Sequence, residues 1–255
     1  MKFFSNEGIG SVPGLMGWQH LIFILLSFTL ITILLVFTYR LPKDKIAKTI
    51  RIIFWVVLIL EICKIIWNLT IRIGASLNDW IPLYYCSIFI YGLALASYGK
   101  GKVKRLGETW IFYGQIVAGL AFILYPSTAL LIHPLCHVLT IHSLIYHSLA
   151  IYVGLLIVLS KYYKPQKEDF IPYTISLMLF CLGVYLFNII FTTNLMFLNK
   201  PVDIWPLANI FTIAKGLYPL IIALAQICGT FVISYYSYII IKKTRRTKFK
   251  GRKNR

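Results

Sequence analysis

Cys86 and four histidines in one stretch, His133, His137, His142 and His147, are the residues of this chain best suited to covalent chemistry. A thiol attacks as its thiolate and needs a neighbouring base, which His142 or His147 would supply to Cys86. A second group, Glu61, Lys64, Asn68 and Arg72, recurs at helical spacing. At about 100° per residue these four share one helix face, on which Glu61 and Lys64 can pair. On the same wheel His137 and His147 fall about 40° either side of His133, with His142 opposite. His133 and His137 could share a metal at their four-residue spacing, but Pro134 marks the point where that helix begins. His147 lies roughly 15 Å along the axis from His137, too far to share an ion. The spacing therefore supports no metal site, and no cofactor is expected.

The elements that position these groups are hydrophobic almost throughout. Of 255 residues 59% are hydrophobic and 13% charged, against about a quarter charged in a soluble domain. Too few polar residues remain to wet a globule, so lipid must be the solvent for most of the surface. Apolar runs of about 20 residues predict an all-α, polytopic membrane bundle of seven transmembrane helices. They cover about 18–39, 50–73, 80–98, 109–125, 135–162, 170–191 and 217–241. Residues 204–217 are apolar but broken by Pro206 and Lys215, and read as a re-entrant or interfacial segment. One transmembrane domain over 1–241 and a basic tail over 242–255 complete the organisation. The first run is too long for a signal-peptide core, so it reads as an anchor.

A net charge of +18 suggests a nucleic-acid binder until its distribution is read. Of 26 lysines and arginines, 21 fall after spans one, three and five and in the tail, which alone holds nine. Four lie on the other side and Lys64 lies within a span. Basic residues stay in the cytoplasm, which predicts the N-terminus out, the C-terminus in, and no nucleic-acid partner. Two readings of the tail stand: a topology signal alone, or a patch for anionic lipid headgroups, worth about 1 kcal/mol per basic residue. Richness in Ile, Lys and Asn suits a bacterium with an AT-rich genome, hence a multi-pass protein of the plasma membrane.

The five cysteines, Cys63, Cys86, Cys136, Cys181 and Cys228, form no CxxC and read mostly as small buried hydrophobes. Asn188 and Gln226 read as interhelical hydrogen-bond glue. An ionisable group inside a span costs at least about 2.5 kcal/mol on insertion scales and needs a partner or a purpose. Glu61 and Lys64 are therefore either an ion pair that fixes packing or the wall of a binding or proton-handling site. On the predicted outer side His20 opens span one, Cys86 follows Tyr84 near the start of span three, and His137 and His142 occupy span five. Asn194, Lys200 and Asp203 follow span six. This predicts an outward polar cavity lined by spans one, three, five and six, with His20, Glu61, Lys64, Tyr84, Asn194 and Lys200 as binding residues.

Four landmarks within residues 17–241 carry a resemblance to the YwaF-like family of bacterial integral membrane proteins: Trp18-Gln19-His20-Leu21, Glu61, Pro82-Leu83-Tyr84-Tyr85-Cys86-Ser87, and Asn194-Leu195-Met196-Phe197-Leu198-Asn199-Lys200-Pro201. His147 resembles that family's intramembrane histidine. This chain has Tyr84 where the family commonly has histidine, and Leu195 where it has tyrosine. The family is distantly similar to eukaryotic transmembrane phospholipid acyltransferases that use a cysteine and a histidine. The resemblance implies acyl transfer or hydrolysis on membrane lipids, with Cys86 as nucleophile and His147 or His142 as base. Two other functions stay open: a transporter using Glu61, Lys64 and the histidines as a path, and a non-enzymatic scaffold. Protein partners are not indicated.

Overall fold

The computed structural model describes residues 3–4, 14–201 and 207–253, and Asp203 lies outside them. Among the described residues, seven stretches are long and apolar enough to cross a membrane: Trp18–Thr38, Lys43–Thr70, Leu77–Tyr98, Gly101–Leu124, Val138–Leu159, Lys167–Phe191 and Tyr218–Thr244. They are the seven predicted spans. Each must be helical because a backbone in lipid has to satisfy its own N–H and C=O groups. Spans four and five form the interior, 67% and 61% buried, whereas spans one, two and six are 17–22% buried and turn most of their surface outward. Leu207–Ile213 is a short helix between spans six and seven, and the rest of the 204–217 reading lies partly outside the described residues.

Three spans are interrupted. Span three is a single turn, α3 (Leu77–Trp80), a non-helical passage, a 3₁₀ turn over Tyr85–Ser87, then α4 (Ile88–Tyr98). Pro82 sits in the break, where its missing N–H and its restriction on the preceding residue disfavour a continuous helix. Span four runs from α5 (Gly101–Thr109) through a π-helical stretch, Trp110–Gln115, into α6 (Ile116–Leu124). It starts eight residues before the predicted 109, because the basic residues Lys102, Lys104 and Arg105 form its first turns rather than a loop. Span seven likewise passes from α10 (Tyr218–Leu224) through a π stretch, Ala225–Gly229, into α11 (Thr230–Lys253). The remaining spans are the unbroken helices α1 (Trp18–Thr38), α2 (Lys43–Thr70), α7 (Val138–Leu159) and α8 (Phe170–Phe191).

Small residues set the closest helix approach. A Cβ on Gly107 would stand 2.5 Å from the Ala96 nitrogen and 2.6 Å from the Gly92 oxygen, main-chain atoms that cannot yield. On the side of the basic loops the buried Asp169 ties spans four and six together. Its carboxylate accepts from Arg105 Nε at 2.8 Å and Nη2 at 3.0 Å, from the Tyr163 hydroxyl at 2.6 Å and from the Gln166 N–H at 3.0 Å. The Tyr113 hydroxyl then donates to the Gln166 carbonyl at 3.0 Å. A buried carboxylate with this many donors is a structural clasp.

The cysteines divide: Cys181 is buried, whereas Cys63 and Cys136 are exposed. The expectation that most are buried is corrected there: Cys63 lies on the exposed face of α2 in span two and Cys136 in the turn before span five, where neither is packed.

Candidate functional site

A cavity of about 240 Å³ lies at the ends of the spans opposite the basic loops. Glu61, Lys64, Asn68 and Arg72 line it from span two and the turn after it, and Tyr84, Cys86 and Ser87 from the broken start of span three. Phe122 comes from the end of α6, His142, Tyr146 and His147 from α7, and Phe197 from the loop after span six. Six of the nine residues singled out from sequence, Cys86, His142, His147, Glu61, Lys64 and Tyr84, thus share one cavity.

His20, Asn194 and Lys200 do not line it. The buried His20 ring accepts the Met16 N–H through Nδ1 at 3.0 Å and reaches the Ile123 carbonyl through Nε2 at 2.9 Å. Nδ1 holds the turn before span one, and Nε2 fastens the start of span one to the end of span four. Asn194 folds the loop after span six: its Oδ1 accepts the N–H of Asn199 at 3.1 Å and of Lys200 at 2.9 Å, and its Nδ2 donates to the Lys200 carbonyl at 3.1 Å. Lys200 enters these contacts through its main chain. Span one is therefore absent from the lining and spans two and four take its place.

Asn188 also serves the loop rather than another helix, accepting from Thr193 Oγ1 at 2.7 Å and the Leu195 N–H at 2.9 Å. Within this loop Thr192, Met196 and Phe197 adopt φ of 53°, 57° and 56°. Such angles are unfavourable for residues with a Cβ and persist where surrounding bonds impose them. Here they carry Phe197 against Tyr84, 5.7 Å between ring centres, at the cavity wall.

His147 has its tautomer and ring plane fixed by geometry. Its Nδ1 lies 2.8 Å from the Ser143 carbonyl, which can only accept, so Nδ1 carries the proton and Nε2 is left as a lone pair. That Nε2 is buried with no hydrogen-bond partner, and the ring stacks on Phe122 at 3.6 Å with 2° between planes. A fixed ring with an unsatisfied acceptor can take up a proton from a group brought to it.

His142 is placed differently. Its Nε2 stands 3.7 Å from Glu61 Oε2, and the other Glu61 oxygen pairs with Lys64. Beyond this cluster Arg72 Nη1 pairs with Asp79 Oδ1 at 2.8 Å, near the mouth. Cys86 sits in the 3₁₀ turn that leads into α4, at the helix end where an anion is stabilised. Tyr146, which drew no notice in the sequence, donates its hydroxyl to the Cys86 carbonyl at 3.2 Å.

The His133–His137 pair is a stack, with ring centres 3.9 Å apart and 9° between planes, and Trp67 lies edge-on to both. Lone pairs in two parallel rings do not converge on one ion, and His137 Nδ1 caps α7 by accepting the Leu139 N–H at 3.2 Å. Burial, then the His137 ring and the Arg72 guanidinium, push His133 down to about 4. Its value in the folded protein lies below that of a free imidazole, so the unfolded chain binds more protons between the two. The stack's contribution to stability is present above about pH 6.5 and is lost as pH falls towards 4. Melting in detergent is expected to fall over that range in the native protein and to fall less in His133→Phe. Equal slopes would remove the stack from the acid response.

A seven-span helical bundle with a polar cavity that holds a thiol and an oriented imidazole defines a multi-pass membrane protein with a candidate reaction site. The TMEM164 family matches residues 15–237, and the chain belongs to that family. No curated protein and no solved structure matches it.

Proposed function

We propose that the protein acts on membrane lipids by acyl transfer or hydrolysis, with Cys86 as nucleophile and His147 as base. The observation that carries this reading is His147 Nε2, left as an unpartnered lone pair in the cavity that Cys86 lines. Nε2 takes the thiol proton as sulfur attacks the ester carbonyl of a lipid. The C–O bond breaks, a thioester forms on Cys86, and the leaving alkoxide takes the proton back from Nε2. An acceptor hydroxyl, or water, then gives its proton to Nε2 and attacks the thioester. This releases the acylated acceptor or the free fatty acid and restores the thiol. The α4 N-terminus beside Cys86 supports the developing negative charge. The likeness to YwaF-like proteins, and through them to eukaryotic phospholipid acyltransferases, points the same way.

In this reading the chain lies in the plasma membrane with its N-terminus outside, and the cavity opens to that side, away from the basic loops. The nine basic residues from Lys242 onward meet anionic headgroups of the inner leaflet.

The test is reconstitution in vesicles carrying a phospholipid with an isotope-labelled acyl chain, followed by mass spectrometry of the lipids. Label is expected in a second lipid or in free fatty acid, and to stay in place with Cys86→Ala. Label that never moves, across several donors and with folded protein, would end the acyl-transfer reading.

A further inference from the structure

The turn that carries Cys86 is held by residues from three other spans through its neighbour Tyr85, and from a fourth through Cys86 itself. The Tyr85 hydroxyl donates to the Gln226 carbonyl at 3.0 Å and lies 2.9 Å from the Tyr173 hydroxyl and 3.0 Å from Thr230 Oγ1. Thr230 Oγ1 also donates to the Gln226 carbonyl, at 2.6 Å, and Tyr173 lies 2.8 Å from Thr230. Three hydroxyls supply three protons: two go to the two lone pairs of one carbonyl, and that of Tyr173 bridges the other hydroxyls. The Tyr85 carbonyl in turn accepts from Gln115 Nε2 at 3.2 Å, and the Cys86 carbonyl accepts from Tyr146.

Both π-helical stretches contribute a residue to this cluster. Gln115 closes the one in span four, and Gln226 lies in the one in span seven. A π turn shifts the side chains after it by an extra residue and frees a carbonyl, at the cost of helix regularity. Gly114 supplies the clearance: a Cβ there would lie 3.2 Å from both the Tyr85 and the Tyr173 hydroxyl. Gln226 Nε2 also donates to the Met196 carbonyl at 3.1 Å, just before Phe197, which packs on Tyr84. Gln226 therefore braces the residues on the N-terminal side of Cys86 twice, through Tyr85 and through Phe197 against Tyr84.

We propose that Tyr85 is the positioning residue of this site: its hydroxyl, anchored to the irregularity in span seven, and its carbonyl, held by Gln115 at the irregularity in span four, fix the turn that aims Cys86 into the cavity. This rests on Cys86 being the reacting group.

In vesicles, labelling of Cys86 by N-ethylmaleimide, read on the Cys86 peptide, reports the set of the turn without any need for acyl transfer. Tyr85→Phe is expected to slow labelling about tenfold, because a turn that frays no longer presents the thiol to the helix N-terminus. Acyl-transfer kcat is expected to fall by about as much, with KM within about twofold of the native value. Tyr163→Phe removes one hydrogen bond from the Asp169 clasp at the other membrane face and should leave both readouts unchanged. Should Tyr85→Phe not fold, Thr230→Val weakens the same anchor and is expected to act in the same direction. Labelling as fast as or faster than in Tyr163→Phe would overturn the proposal. If the native protein moves no acyl chains, the labelling arm still decides it.

Discussion

His147→Ala is expected to lower acyl-transfer kcat/KM about a thousandfold, whereas His142→Ala should cost less than about tenfold. The two imidazoles share one helix and one cavity, so proximity alone does not separate them. Their surroundings do, although neither Nε2 has a hydrogen-bond partner. The Ser143 carbonyl fixes the His147 tautomer with Nε2 free, and Phe122 holds the ring plane. His142 Nε2 faces the Glu61 carboxylate, whose charge is shared with Lys64, and its loss removes a neighbour of that pair. Initial rates in vesicles for the two variants decide the matter. Equal losses would make the histidines partners, and a larger loss at His142 would exchange their roles.

Lys64→Met is expected to destabilise the protein by about 3–5 kcal/mol, because Glu61 is left charged in the bundle without its cation. Glu61 is 3% exposed, so water cannot replace the lysine. Combining Lys64→Met with Glu61→Gln removes both charges and is expected to recover most of the loss, since a neutral pair of similar shape avoids the desolvation cost. Thermal unfolding in detergent measures the stability, and vesicle assays measure the rest. If the double variant regains stability and still transfers acyl chains, the pair serves packing. If it regains stability and loses activity, the charges act in the reaction. A single variant as stable as the native protein would contradict the buried ion pair itself.

The spans were legible because lipid imposes one rule on every residue of a run, and that rule is written locally. The break in span three went unread, although Pro82 lies in it. What was not legible depends on contacts between distant residues. His20 and Asn194 look like binding groups, being polar residues at the same ends of their spans as Cys86. Only the fold shows that Ile123 and the 199–200 main chain consume their hydrogen-bonding capacity. The helical wheel placed His142 and His147 on different faces but could not show that a backbone carbonyl fixes the tautomer of His147. Glu61 was visible as a buried charge needing a partner, and Lys64 three residues on supplied it. Asp169 was not, since its partner Arg105 is 64 residues away. The π stretches left no local mark, and Tyr85 beside Cys86 read as one more aromatic in an apolar span.

The central claim, that Cys86 carries the acyl group, is tested most directly by intact-protein mass spectrometry after brief mixing with donor phospholipid and no acceptor. An added mass of one acyl chain is predicted, mapped to Cys86, released by hydroxylamine and absent from Cys86→Ala. Acyl transfer that persists in Cys86→Ala, with no adduct on the native protein, would contradict it.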